Sequence, residues 1–302
     1  RGRNWTIHAG HKEERKGFLY TMNNRFLYFN LFGIILAALL AVLCGFVVIL
    51  FLSNEPLNAI YSFIIGPVSN LFNLSTVINK AIPLLFTGLA LAVVFQTNVF
   101  SMGAEGQLYV GGFLGALAAV YISGLSPWVH IPIILICAII GGALFGFIPG
   151  VLKARLNANE VVTTLMLNYV AIIMTSYFVN NVFKDPESGG YARMEYFDEN
   201  LLLGKISAGF PVHYGIFIAI AAVLIVYLLL FKTRIGYEMR LVGQNKYFAN
   251  YGGIKTNLII VVSIMISGAL AGLGGVVELM GIHGTYKDNF SDQLGFDGII
   301  IS

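Results

Sequence analysis

Long uncharged apolar runs separated by short polar links dominate the chain. Leu31–Leu52 carries no charged residue over 22 positions. At 1.5 Å per residue that is about 33 Å of helix, enough to cross a hydrocarbon core. Further charge-free runs cover Ala81–Ala104, Gly106–Val129, Ile131–Leu152, Val161–Val179, Tyr214–Phe231 and Leu258–Val277. The pattern predicts seven spans and an all-α, polytopic transmembrane bundle. Leu57–Phe72 is less apolar and contains Pro67, and reads as an interfacial or re-entrant piece. A further apolar run opens at Phe296–Ile301, so at least one more span is expected beyond Ser302.

Composition agrees. Charged residues make up 11% and hydrophobic residues 57%, with a mean hydropathy of +0.80. A soluble globule cannot solvate so much apolar surface with so few charges. A net charge of +3 is too small to point to nucleic acid; the position of the charges matters more. Six cations lie in residues 1–30, two follow the fourth span (Lys153, Arg155) and five lie in 232–256. The opposite loop, 180–212, holds three cations against five carboxylates. Cytoplasmic loops are enriched in Lys and Arg. An N-terminus inside the cell puts thirteen of the eighteen cations there and agrees with seven alternating crossings. The organisation expected is a basic cytoplasmic tail (1–30), with Arg3 to Lys16 around Trp5 either an amphipathic surface helix or a topology-setting tail, and a membrane domain (31–302).

Catalytic patterns do not emerge. HExxH, GxSxG and a phosphate-binding GxxxxGK[ST] loop are absent, the histidines are scattered, and Cys44 and Cys137 lie apart in apolar runs. The chain reads as a conduit with no cofactor or metal of its own. Glycines at four-residue spacing (Gly111/Gly115, Gly142/Gly146/Gly150, Gly268/Gly272) let helices approach closely. NVFSMGAEGQ (98–107) interrupts an apolar region with Asn98, Ser101, Gly103, Glu105 and Gln107. It is either an ordinary turn or a broken helix lining a pathway, because irregular backbone at depth must face protein or water. In NANEVVTTLMLNYV (157–170), Asn159 and Glu160 suit a helix start, and Thr164, Asn168 and Thr175 form one polar stripe facing neighbours or a translocation path. In GYEMRLVGQNKYFANYGGI (236–254), Tyr237, Leu241, Phe248 and Tyr251 share one helical face. Gly243 is expected to divide that segment into two short helices and Gly252-Gly253 to end it. It reads as a docking surface or a helix lying on lipid.

These segments, supported by SGALAGLGGVVE (267–278) and LGFDGI (294–299), resemble the permease subunits of bacterial ABC importers for simple sugars, nucleosides and branched-chain amino acids. The nearest branch is the nucleoside-type permeases that work with basic-membrane-protein lipoproteins. The resemblance covers residues 31–302. It implies an inner-membrane importer subunit that is not itself an enzyme. Its implied partners are a second permease, often a different chain, an ATPase subunit that uses the ATP, and a substrate-binding lipoprotein. The resemblance also implies that 236–254 is the ATPase-coupling segment, with Gly236, Glu238, Arg240, Gly243, Asn245 and Gly252 as its recurring residues. Gly103, Glu105, Gly106 and Gln107 match the family's Gly-Glu-Gly-Gln signature. Ser101-Met102 departs from the more usual Asn-Ile there. The pathway residues expected are Asn98, Ser101, Gly103, Glu105, Gln107, Asn159, Glu160, Thr164 and Asn168, and the solute expected is a nucleoside or a similar small polar molecule, with a sugar- or flavin-importing permease as the alternative and a self-sufficient secondary transporter as a further one.

Overall fold

The computed structural model describes residues 32–52, 54–207 and 209–302. The expected basic tail lies outside the described residues. The chain forms two compact units, divided after Asn70. In the first, α1 (Phe32–Leu52) is apolar on every face, as suits a helix solvated by lipid. It is followed by α2 (Pro56–Ile65) and a 3-10 turn at Gly66–Val68. Pro56 opens α2 at a position where its missing N–H costs nothing.

The second unit holds α3 (Leu71–Phe95), α4 (Ala104–Tyr121), α5 (Pro127–Leu156), α6 (Glu160–Asn181), α7 (Gly215–Lys232), α8 (Arg234–Gln244), α9 (Lys246–Tyr251), α10 (Thr256–Glu278) and α11 (Leu294–Ile301). Six of the described helices are long and apolar enough to cross a membrane: α1, α3, α5, α6, α7, and α10 with its π-helical continuation at Leu279–His283. The expected third span is α4. It is polar at its start, but 14 of its 18 residues are buried, which makes it a central element.

Helix α10 is the axis of this unit, and glycines set its separation from α4 and α5. A Cβ at Gly142 would collide with the Gly268 carbonyl oxygen, and one at Gly111 with the Gly272 backbone. Tight backbone approach of this kind replaces the hydrophobic driving force that lipid does not supply. The small-residue stripes are therefore packing surfaces.

At one end of the unit, the 182–214 segment folds over the bundle. It contains a small antiparallel hairpin, β1 (Lys205–Ser207) with β2 (Phe210–His213), which modifies the all-α expectation. Asn79 ties the hairpin to α3, donating to the Pro211 carbonyl at 2.9 Å and accepting from the His213 N–H at 3.1 Å. The other end gathers the α3–α4 link, the α5–α6 link and the α8–α9 segment.

The expected second span, Ala81–Ala104, is corrected. Helix α3 begins ten residues earlier, at Leu71, and stops at Phe95. Residues 96–103 are irregular, and Asn98 holds a left-handed φ of 56°. Absence of charge did not distinguish helix from buried irregular backbone.

Candidate functional site

The irregular 96–103 link is buried at alternate residues: Thr97, Val99, Ser101 and Gly103 are buried, while Asn98 and Phe100 are exposed. Backbone groups freed from a helix need partners in such a place. The polar stripe of α6 supplies them. Thr164 Oγ1 accepts from the Met102 N–H at 3.1 Å. The Asn168 amide donates to the Met102 carbonyl at 2.7 Å and accepts from the Gly106 N–H at 2.9 Å. Ser101 Oγ accepts from the Gly103 N–H at 3.3 Å. The stripe is thus the brace of the broken segment. Asn168 lies about 12 Å along α6 at 1.5 Å per residue, so α4 starts well inside the bundle.

Glu105, in the first turn of α4, is only 2% exposed. Its Oε2 accepts from the Gly295 N–H, at the start of α11, at 2.6 Å. Two helix N-termini therefore converge on one carboxylate, a favourable placement against both macrodipoles. Gln107 sits one turn from Gly103, with its side-chain nitrogen close to the backbone of Gly103 and Gly146. It is 1% exposed, and neither polar atom of its amide has a hydrogen-bond partner among the described residues.

Asn159 and Glu160 stand apart from this cluster, at the α6 start. Asn159 caps the helix by accepting from the Val161 and Val162 N–H groups, and Glu160 pairs with Lys153 at 2.6 Å. Both are explained by local structure. Asn98 lies at the near end of the irregular link, beside Gly243.

The α8–α9 segment is built against that same link. Met239, Val242 and Ala249 join Val93, Val94 and Val99 and three α10 residues, Ile259, Ile260 and Ile264, in one apolar cluster. Gly243 faces the Gln96 carbonyl so closely that a Cβ would overlap it. The expectation that Gly243 divides two helices is corrected: Gly243 lies within α8, and the division falls at Asn245. That residue is extended (φ −158°) and accepts from the Phe248 N–H at 2.9 Å, capping α9. Gly236 fits where its Cβ would strike the Leu229 carbonyl, fixing the α7–α8 turn, and its N–H donates to Thr233 Oγ1 at 3.2 Å. Gly252 follows the end of α9. Glu238 pairs with Arg234 at 2.7 Å, and the Arg240 guanidinium sits 5.1 Å above the Phe231 ring.

Tyr237, Tyr247, Phe248 and Tyr251 point away from the cluster, and the last is 94% exposed. Of the face read from the sequence, Tyr237, Phe248 and Tyr251 are uncovered, whereas Leu241 is partly buried against the cluster beside Met239, Val242 and Ala249.

Sequence reasoning missed Gln96 and Ser263, whose hydroxyl lies 3.2 Å from Thr97 Oγ1. It also missed Asn289, whose Oδ1 accepts from the Tyr109 hydroxyl at 2.9 Å. None of these belongs to a periodic pattern. Gly295 had a signal, the paired glycines of LGFDGI, without an indication of what they approach.

Six described helices long and apolar enough to cross a membrane, with a braced break and a partly uncovered helix pair, define a multi-pass helical membrane protein. Residues 73–302 match the family described as the branched-chain amino acid transport system / permease component, and the chain belongs to it. It is similar to the guanosine ABC transporter permease protein of Bacillus subtilis, 35% identical over 81% of this chain and 70% of that protein. It is also similar to the glucose ABC transporter permease protein of Haloferax volcanii, 30% identical over 89% of this chain and 73% of the relative. The nucleoside ABC transporter permease protein of Lactococcus lactis subsp. cremoris is 28% identical over 89% and 77%. No solved structure matches the chain.

Proposed function

We propose that the chain, an ABC importer permease subunit, moves a nucleoside or similar small polar solute across the bacterial cytoplasmic membrane. It does so as one of two permeases, with a substrate-binding lipoprotein outside and ATP hydrolysed by a separate subunit inside; the chain itself is not an enzyme and carries no cofactor. The observation that carries this reading is α8–α9: its apolar side is locked to the 96–103 link while its aromatic side is uncovered. A subunit seated on Tyr237, Phe248 and Tyr251 would displace the link through Gly243, because nothing compressible lies between Gly243 and Gln96. Gly236, Glu238, Arg240, Gly243, Asn245 and Gly252 are the coupling residues of this proposal. Asn98, Ser101, Gly103, Glu105, Gln107, Thr164 and Asn168 form or brace the part of the pathway wall that moves, and Asn159 and Glu160 hold its α6 support. The N-terminus lies in the cytoplasm. Two of the relatives described above are named for nucleosides, which favours that solute class. The glucose-transporting relative supports sugar as the second reading.

The test is affinity purification of the chain from its native membrane, followed by uptake in proteoliposomes. An ATPase subunit is expected to co-purify, and radiolabelled purine nucleoside is expected to accumulate only with ATP. Accumulation without any ATPase subunit would refute the importer reading. Accumulation of glucose but no nucleoside would move it to sugars.

A further inference from the structure

Helix α11 is joined to the rest of its unit at few polar points. The loop before it is irregular, with left-handed φ at Asn289, Asp292 and Gln293 (54°, 46° and 72°). Asparagine and aspartate adopt this region readily; Gln293, directly before the helix, does so less easily. The helix itself is held by α3 and α4. Thr87 Oγ1 donates to the Leu294 carbonyl at 3.1 Å, and Gly298 packs on Thr87. Gly295 packs so closely on the Glu105 backbone that no side chain fits between them, and its N–H donates to the Glu105 carboxylate.

We propose that Glu105 is a positioning residue that fastens α11 to the α3–α4 break, so that displacement delivered by α8 carries the break and α11 as one body. The physical link is continuous: Gly243 rests on Gln96, the irregular link runs to Gly103 with α6 bracing it at Met102, and Glu105 then bonds Gly295. No solute contact by Glu105 is required; its 2% exposure leaves the carboxylate facing protein. The inference rests on the importer reading for its transport readout, but its stability readout is independent of it.

The test uses the reconstituted transporter with its ATPase and lipoprotein, in a background with Cys44→Ala and Cys137→Ala. Glu105→Leu should lower the maximal uptake rate of a purine nucleoside at least about tenfold while leaving the apparent KM within about twofold. Glu105→Gln keeps an acceptor oxygen for Gly295 and should retain most of the rate. A Cβ at Gly88 would lie 3.5 Å from the Ile301 Cβ, within disulfide range. Oxidised Gly88→Cys/Ile301→Cys should therefore restore uptake to Glu105→Leu, and reduction should abolish the rescue. If Glu105→Leu alone fails to assemble, the same disulfide should restore assembly, read as thermal stability in detergent. Parent-like uptake by Glu105→Leu, a raised KM at unchanged maximal rate, or failure of the disulfide to restore either property would overturn the proposal. So would a block of uptake when the disulfide forms in the chain with Glu105 intact, because α11 would then have to move against α3. A parent transporter that takes up neither nucleoside nor sugar defeats the functional reading instead, while the stability comparison still decides the joint.

Discussion

Asn168 and Gln107 are both buried amides near the broken segment, with opposite consequences when removed. Asn168 satisfies two backbone groups of the break. Leaving buried partners unpaired costs about 1–3 kcal/mol each. Asn168→Ala is therefore expected to lower the melting temperature of the detergent-solubilised complex clearly, and transport with it. Gln107 has no hydrogen-bond partner to lose among the described residues. Gln107→Leu is expected to leave the melting temperature unchanged or raised, while uptake falls, if the amide serves the moving pathway. Unchanged uptake in Gln107→Leu would remove it from the pathway set. His213 supplies a pH handle at the other end of the unit. Burial pushes its imidazole below the ordinary range, opposed in part by the Glu278 carboxylate. Its Nδ1 accepts from the Gly215 N–H, which the neutral ring allows. The unfolded chain takes up the proton near pH 6.5 and the folded one at lower pH, so stability falls as pH drops through about 6.5. His213→Asn should flatten the decline in melting temperature between about pH 7.5 and 5.5 relative to the parent.

At the scale of elements, α8 and the α3–α4 link behave as one contact, and Gly243 is its tightest point. The expectation from sequence placed a bend at Gly243; the contact with Gln96 gives the glycine a different reason. A methyl group suffices to disturb it, since even a Cβ overlaps the carbonyl. Gly243→Ala is expected to reduce coupled uptake at least about tenfold with normal membrane insertion, measured by uptake and by solute-stimulated ATP hydrolysis together. Alanine is the better helix former, so a gain or no change would mean that α8 stands off the link in the working protein. Helix α6 shows what periodicity conveys. Its stripe was legible as Thr164, Asn168 and Thr175. Which neighbour the stripe served was not, because the partner atoms are backbone groups of a distant irregular segment whose sequence does not specify its path.

For the whole molecule, the distribution of cations makes an orientation testable. The expected inside N-terminus places α9 in the cytoplasm and the 182–214 segment outside. Tyr191 in that segment is exposed and can carry a thiol probe. In intact cells, Tyr191→Cys should react with an impermeant thiol reagent and Asn245→Cys should not, in a background without Cys44 and Cys137. The reverse pattern would invert the topology.

The sequence by itself determined the class of protein, because hydrocarbon thickness and the cost of charge in it leave a direct record in run length and charge placement. It also marked Glu105, Gly243 and the α6 stripe as unusual, since polar and small residues at depth have few reasons to be there. Tertiary structure alone decided what those residues touch. It ended α3 at Phe95 and moved the division of the coupling segment to Asn245. It turned the aromatic face of α8–α9 outward and brought Gly295 to a carboxylate 190 positions away. Each of these depends on partner backbone atoms remote in the chain, and neither periodicity nor composition encodes the distance between them.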